Sequence, residues 1–275
     1  MKPNSPEFPL PAPSVSVQLT DAQRLADAHH AIVSCERCPR LREYCGRVAR
    51  EKKRAHRDEE YWGRPVPGFG DPQARLLLVG LAPAAHGANR TGRVFTGDGT
   101  AGSGDFLMAA LHATGFANRA TSTHSRDGLR LRDAFVSMAV RCAPPDNKPL
   151  PEEIVRCLDH LDAEAAALPR VEVVVGLGKI GFDAWLRRLR RRGIILAPRP
   201  AFGHGAIVDV STLTNAPGSA PRYLVGCYHP SRQNTNTGKL TASMMEDLFA
   251  TARTLLKAET TPNSQLPTPN ETSRA

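Results

Sequence analysis

The chain has 275 residues, of which 41% are hydrophobic and 23% charged, the proportions of an ordinary globular protein. Its formal net charge of +9 at pH 7 favours a polyanionic partner, with nucleic acid first and an anionic membrane surface second, although a merely soluble arginine-rich protein carries the same charge. No apolar run approaches the ~20 residues that a membrane-spanning helix needs, and the first residues lack the apolar core of a signal peptide. We therefore expect a cytoplasmic protein with reduced cysteines.

One globular domain is expected over residues 19–257, between two tails. The N-terminal tail, residues 1–18, is rich in proline and serine, and the C-terminal tail, residues 258–275, is polar and contains prolines. Because such segments bury too little apolar surface to fold, both tails are expected to be disordered.

The domain begins with an amphipathic helix, DAQRLADAHHAIVSC, capped by Thr20 or Asp21. A CxxC motif, Cys35 and Cys38, comes next and is followed by a proline. The run VAREKKRAHRDEEYWGR then carries charges of both signs and predicts a solvated helix. Prolines and glycines over residues 65–70 indicate an irregular connection into the first strand.

Strands and helices alternate through the rest of the domain. Short apolar runs predict four strands, at residues 76–79, 135–140, 171–175 and 223–226. Helical patterns lie at residues 104–114, 151–167, 180–192 and 240–256, and residues 198–222 break the rhythm as an insertion or edge hairpin. The alternation predicts an α/β three-layer sandwich with a central, mainly parallel four-stranded sheet.

The first predicted strand runs into a polar, glycine-rich stretch at residues 80–98, GLAPAAHGANRTGRVFTGD. In open α/β sheets, ligands bind in the crevice beyond the carboxyl ends of the strands, and this stretch suits such a site. A long surface loop is the alternative. The loops after the other strands should converge on the same edge of the sheet.

Four of the six cysteines suggest a metal centre. Cys35 and Cys38 form the CxxC, Cys142 ends a strand, and Cys157 lies in the following helix. Zinc and a [4Fe-4S] cluster both accept four thiolates, and the lack of a second closely spaced pair favours iron–sulfur without deciding the matter. The other interpretation is that all six are small buried hydrophobic residues.

Three further features are ambiguous from the residues alone. The run GLGKIG at residues 176–181 matches GxGxxG, but the third βαβ unit is the wrong place for a dinucleotide site, so a tight turn whose helix binds a DNA phosphate is favoured. His229, after the fourth strand, is either catalytic or structural. Asn147 can recognise a planar amide edge and Lys148 a phosphate, or both belong to a rigid loop.

The motifs together resemble the iron–sulfur uracil-DNA glycosylases, specifically family 5, the B-type enzymes. The resemblance rests on CxxCPRL, EEYWGRPVPGFGDP, the stretch at residues 80–98, VRCAPPDNKP and HPSRQNTNTG, and it covers residues 35–256. It implies a four-stranded parallel sheet and a structural [4Fe-4S] cluster that pins the N-terminal segment to the strand and helix framing the pocket. Its ligands would be Cys35, Cys38, Cys142 and Cys157.

Two positions separate this chain from family 4. Leu81 stands where the family 4 motif GEAPG has a carboxylate, and Met138 stands where that family has an asparagine four residues before the third cysteine. Asn147 is therefore expected to read the uracil edge in this chain.

The resemblance implies an enzyme that flips uracil out of DNA and hydrolyses its N-glycosidic bond, leaving an abasic site. Asp98 would orient water and oppose the oxocarbenium charge, His229 would hydrogen-bond uracil O2, and Phe95 would stack on the base. The small Ala84–Ala85 pair favours a range of deaminated bases that includes hypoxanthine and xanthine. The expected partner is double-stranded DNA, bound by a monomer. The remaining residues expected at the pocket or the DNA are Ala82, His86, Gly87, Asn89, Ser231, Arg232 and Asn234.

Two other classes of protein remain open at this point. A non-catalytic DNA-binding module would share the fold, although the pairing of Asp98 with His229 argues against it. An iron–sulfur redox protein would need an exposed cluster and a reversible couple, which nothing in the loops calls for.

Overall fold

The computed structural model describes residues 19–97, 99, 102–210 and 221–257, so both expected tails lie outside the described residues. Within these ranges six strands form one sheet in the order β1-β3-β2-β4-β6-β5. The strands are β1 (Phe69–Gly70), β2 (Leu76–Gly80), β3 (Ala134–Met138), β4 (Val173–Leu177), β5 (Ile207–Asp209) and β6 (Tyr223–Cys227).

Helices cover both faces of this sheet. They are α1 (Asp21–Val33), α2 (Pro39–Glu51), α3 (Ala88–Thr91), α4 (Ser103–Ala113), α5 (Pro151–Ala166), α6 (Gly178–Arg191), α7 (Arg232–Asn236) and α8 (Ala242–Lys257). Short 3₁₀ turns lie at Arg54–His56 and Pro145–Asn147. Among the described helices, none has the length and apolarity to cross a membrane.

The central four strands, β3, β2, β4 and β6, pair in parallel, which confirms the predicted α/β class. All of their residues are buried, because helices pack on both faces. Two short antiparallel strands extend the sheet beyond the four that were predicted. One, β1, lies in the segment expected to be irregular. The other, β5, lies in the segment expected to be an insertion or edge hairpin, and it pairs antiparallel with β6 at the edge of the sheet, as the second alternative predicts.

Three buried clusters hold the elements together. The first packs α4 and α8 on one face of the sheet, with Phe116 and Phe249 among its aromatic members. The second packs α5 and α6 on the other face around Trp185. The third lies at the carboxyl edge and combines Leu41 of α2 with residues around Cys142. The last cluster ties the N-terminal segment to the edge where ligands bind in such sheets.

The prediction of a helix over the charged run at residues 48–64 was wrong. The helix α2 begins at Pro39, directly after Cys38, and ends at Glu51, before most of that run. Proline favours the first helical position, and Leu41, Cys45 and Val48 give α2 one buried face. By contrast, α1 follows its prediction, because Thr20 and Gln23 form a capping box.

Candidate active site

The loops after β2, β3 and β6 meet at the carboxyl edge of the sheet and enclose a cavity of about 540 Å³, here called the inner pocket. Parallel strands place these loops side by side, as the alternation of elements predicted. Six of the eleven residues expected to act in catalysis or substrate binding line the inner pocket: Ala82, Phe95, Asn147, His229, Ser231 and Arg232.

His229 lies two residues beyond β6, and its backbone is held by the start of α7. Its carbonyl oxygen accepts hydrogen bonds from the amide of Ser231 at 2.7 Å and from the side chain of Asn234 at 2.8 Å. Asn234, expected at the DNA, therefore supports the histidine backbone. Burial lowers the pKa of His229 to about 4, so the imidazole is neutral at physiological pH and keeps one N–H donor.

The glycines of GLGKIG make close packing between α6 and the strands possible. A Cβ on Gly181 would lie 2.0 Å from the carbonyl oxygen of Val79, and one on Gly176 would lie 2.6 Å from Cα of Phe182. Gly178 has a φ of 83°, and a Cβ there would lie 3.1 Å from Cβ of His229. The run is therefore explained by helix–strand packing and by support of the histidine.

Gly178→Ala should lower the rate constant for base release, because the new methyl group presses on His229 and the backbone is left-handed, a strain of roughly 1–2 kcal/mol. Gly193→Ala is the matched control, since Gly193 lies two residues beyond the same helix, has a φ of 81° and has open space around its Cβ position. Single-turnover kinetics and thermal unfolding should show similar destabilisation in both variants, with slower chemistry only in Gly178→Ala. Equal rates in the two variants would contradict this role of Gly178.

Phe95 is held in a strained backbone conformation against the inner pocket. Its φ is 50°, which non-glycine residues rarely adopt. A Cβ on Gly104 would lie 2.4 Å from its carbonyl oxygen, and one on Gly80 would lie 3.0 Å from its ring. The ring centroid lies 6.1 Å from that of His229, with 32° between the planes. Surrounding atoms thus fix an aromatic ring beside a neutral imidazole.

Leu81 and Met138, the two positions that differ from family 4, both line the inner pocket. Asn147 lies at its rim, exposed, with a φ of 56° that asparagine tolerates better than most residues. The inner pocket therefore has apolar side chains at those two positions and an amide at its mouth.

A second cavity of about 500 Å³, here called the outer cavity, adjoins the inner pocket. Its lining includes Lys53, His86, Gly87, Asp146, Asn147 and Arg232. His86 and Gly87, expected to shape the base pocket, thus lie in the neighbouring compartment. Asn89 is fully buried, and its side chain donates to the carbonyl oxygens of Cys45 at 3.3 Å and Ala85 at 3.4 Å. It lines neither cavity.

Asp98 lies outside the described residues, and its role remains a prediction. The segment before it is held by two buried arginines. Arg90 donates to the carbonyl oxygen of Gly97 at 2.7 Å and pairs with Glu59. Arg93 donates to Thr96 Oγ1 at 2.9 Å and to Asp127 at 2.7 Å.

The pair of Arg93 with Asp127 is nearly closed to solvent on both sides. Burial opposes ionisation of this carboxyl group, but hydrogen bonds from Arg93 and the backbone hold the pKa of Asp127 well below its usual range. The described backbone up to Gly97 is thus fixed by these two buried arginines before the substrate arrives.

Cys35, Cys38, Cys142 and Cys157 line one pocket beneath the site, between α2 and α5, and no disulfide joins these free thiols. Burial raises the pKa of Cys157 to about 11, with nearby Arg141 acting in the opposite direction. In the described ranges, no group of three or more His, Cys, Asp or Glu side chains is arranged to hold a metal ion.

Buried nitrogen donors border this cysteine pocket. The Nη2 atom of Arg141 donates to Ser137 and pairs with Glu164, both at 2.8 Å, whereas its Nε and Nη1 are buried without a hydrogen-bond partner among the described residues. The same holds for Nε2 of His160. Arg37 Nε lies 3.5 Å from the sulfur of Cys35, and the backbone amide nitrogen of Arg141 lies 3.3 Å from the sulfur of Cys157.

Comparison with known families agrees with this architecture. A profile of the uracil DNA glycosylase superfamily matches residues 67–253, which include the whole sheet and every loop of the inner pocket. The chain therefore belongs to the uracil DNA glycosylase superfamily.

Within the superfamily, the chain is most similar to enzymes of one type among those compared. It is 47% identical to a type-5 uracil-DNA glycosylase of Mycobacterium bovis over 84% of this chain and 81% of the relative. It is 46% identical to the type-5 enzyme of Thermus thermophilus over 82% and 94% of the two chains. Identity to the type-4 enzyme of Pyrobaculum aerophilum is 31%, over 62% of this chain and 68% of the relative.

Proposed function

We propose that this chain excises uracil from DNA in base excision repair, by hydrolysing the N-glycosidic bond and leaving an abasic site. The observation that carries the proposal is the inner pocket, in which a fixed aromatic ring and a neutral histidine face one cavity in a member of this superfamily. It is tested by measuring base release from duplex DNA that contains a U·G pair.

The target nucleotide leaves the helix and enters the inner pocket, at a cost of a few kcal/mol that is smallest for a mismatched pair. Phe95 stacks on the extruded base, and Asn147 at the rim hydrogen-bonds its edge. Leu81, Met138 and Ala84 present small or apolar side chains to the base, rather than polar groups that would select one pattern of hydrogen bonds. Such a pocket accepts hypoxanthine and xanthine as well as uracil.

Cleavage of the bond leaves positive charge on the sugar and negative charge on the departing base. Asp98 orients the attacking water and stabilises the oxocarbenium-like sugar. His229 donates its N–H to uracil O2 as negative charge gathers there. A neutral imidazole suits this role, since it hydrogen-bonds the anion without first carrying a charge into a buried site.

The basic chain binds the phosphate backbone of double-stranded DNA, and the loop from His229 to α7 enters the groove. Ser231 caps α7, its hydroxyl accepting from the amide of Asn234 at 3.4 Å. Arg232, exposed at the junction of the two cavities, or its exposed neighbour Gln233 fills the space left by the extruded base. We further propose that the chain acts as a monomer in the reducing cytoplasm.

Cys35, Cys38, Cys142 and Cys157 would hold a [4Fe-4S] cluster in the pocket that they line. Four thiolates suit either zinc or a [4Fe-4S] cluster, and the likeness to the iron–sulfur family 5 enzymes favours the cluster here. Arg141 and His160 carry buried nitrogens that have no hydrogen-bond partner in the described part of the chain, and these donors fit the negative charge of such a group. When bound, the cluster supplies a crosslink between the N-terminal segment, the end of β3 and α5.

Arg141→Lys and His160→Phe should each speed loss of the cluster, because both remove N–H groups beside the cysteine pocket. The measurement is the decay of iron–sulfur absorbance near 400 nm under a chelator, with iron and sulfide counted per folded chain. Glu164→Gln is the control, since it disturbs the same buried ion pair and leaves the N–H groups of Arg141 in place. If Arg141→Lys and His160→Phe lose the cluster no faster than Glu164→Gln, the assigned role of these donors is wrong.

Two alternatives give different results in simple assays. A non-catalytic DNA-binding module would bind the U·G duplex without releasing a base. An iron–sulfur redox protein would show a reversible couple by voltammetry without any requirement for DNA.

A further inference from the structure

Several residues that line the outer cavity, among them Tyr44, Lys53 and His56, have no role in the chemistry proposed above. It shares Ala84, Asn147 and Arg232 with the inner pocket, so the two are neighbouring compartments of one cleft. A strand whose nucleotide occupies the inner pocket must continue along the cleft on each side. The outer cavity therefore lies where a neighbouring part of that strand can pass.

The lining of the outer cavity favours an anion. Lys53 contributes an ammonium group, and the imidazoles of His56 and His86 contribute further polar groups. Asp146 is the sole acid among the described residues of this lining. Burial is the main cause that lowers the pKa of His86, and the neighbouring Lys53, His56 and Arg90 lower it further. His56 and Arg90 both contact the carboxylate of Glu59, which leaves Lys53 as the cation of this group without a carboxylate contact in the described ion pairs.

One wall of the outer cavity comes from the segment that carries the first two cysteines. Tyr44 lies on α2, which begins directly after Cys38, and Lys53 follows two residues after the end of that helix. The amide of Lys53 donates to the hydroxyl of Tyr61 at 3.3 Å, and that hydroxyl lies 3.1 Å from Nδ1 of His86. This chain of hydrogen bonds fixes the wall to the loop after β2 without using the ammonium group of Lys53.

We propose that the outer cavity binds a phosphodiester group of the target strand beside the extruded nucleotide, with Lys53 as a principal cation. The cysteine-bearing segment then forms part of the DNA-binding surface. This inference rests on the proposed function, because an extruded nucleotide in the inner pocket brings the flanking phosphate to the shared wall.

The test measures binding of the full, cluster-loaded chain to a duplex with an uncleavable 2′-fluoro analogue of deoxyuridine opposite guanine, over a range of salt. Lys53→Ala should weaken binding several-fold and reduce the slope of log K against log salt by about 1. Arg50→Ala is the matched control, since Arg50 is exposed at the end of the same helix and lines neither cavity. Asp146→Asn should tighten binding, and asparagine suits its left-handed φ of 54°.

A second arm locates the phosphate. Neutral methylphosphonate linkages replace the phosphates around the target one at a time. At one position, the methylphosphonate linkage should weaken DNA binding by the wild type and leave DNA binding by Lys53→Ala unchanged. The proposal is overturned if Lys53→Ala keeps the wild-type salt slope, or if Arg50→Ala weakens binding and reduces the slope as much as Lys53→Ala does. It is also overturned if no methylphosphonate position weakens binding by the wild type while leaving binding by Lys53→Ala unchanged.

Failure of this inference is distinguishable from failure of the proposed function. Wild-type base release is measured separately on a cleavable U·G duplex. Release of uracil together with an unchanged salt slope for Lys53→Ala overturns the phosphate site alone. Absence of release overturns the glycosylase itself, and this inference with it.

Discussion

His229→Ala should lower the single-turnover rate constant for uracil release by about 100- to 1,000-fold, the usual effect of removing one preorganised donor to a developing anion. The affinity for DNA should change little, because the imidazole acts when charge gathers on the departing base. Its backbone contacts to Ser231 and Asn234 use only the carbonyl oxygen and survive the substitution. The measurement is rapid-quench kinetics with enzyme in excess over a U·G duplex, alongside a binding titration.

The pH dependence distinguishes hydrogen bonding from proton transfer by His229. Because burial lowers its pKa to about 4, the imidazole is neutral across pH 5.5–8 and protonates only as the pH falls towards that value. His229→Asn, which keeps a neutral donor and cannot titrate, should show a lower rate with a parallel profile over this range. A wild-type profile that breaks near pH 6.5 and becomes flat in His229→Asn would contradict a neutral imidazole.

Asp98→Ala should slow uracil release at least ~100-fold with DNA binding retained, equivalent to a loss of about 3 kcal/mol or more of transition-state stabilisation. The reason is chemical, since a carboxylate both orients water and opposes the positive charge of the sugar. Asp98→Asn is the informative companion, because it retains a polar group of the same size and loses only the charge. Both variants should be slow if the charge matters.

Asp127→Asn is the structural comparison for Asp98. It removes a buried carboxylate from the support of the preceding segment rather than from the chemistry. It should therefore lower thermal stability as well as the rate. Full activity in Asp98→Ala would place the water-orienting group elsewhere and contradict the assigned role of this carboxylate.

The central sheet and the position of His229 could be predicted because they depend on local pattern. Apolar runs with alternating helices define four buried parallel strands, and the order of elements places the loop after β6 at the shared edge. The edge strand β1 has only two residues, Phe69 and Gly70, too few to give a periodic signal. Likewise, the start of α2 at Pro39 depends on one proline and three spaced apolar residues within a highly charged stretch.

The parts of the site that could not be predicted depend on distant partners. In the sequence, nothing separates Arg93 from the other polar residues of its loop. Its structural role depends on Asp127, which is 34 residues away in the chain and accepts its hydrogen bond only in the folded structure. The short helix α3 turns Asn89 inwards, whereas His86, three residues earlier, faces the outer cavity. Gly178 matched a familiar phosphate-binding pattern, but only the packing of α6 against the end of β6 shows that it makes room for His229.

The most direct measurement is wild-type, single-turnover base release from a duplex containing a U·G pair, by the cluster-loaded full chain. The account predicts that uracil is released and an abasic site is left, whose strand breaks on alkaline treatment. Tight binding of the duplex without release of uracil, hypoxanthine or xanthine would contradict it and leave a DNA-binding module on the same fold.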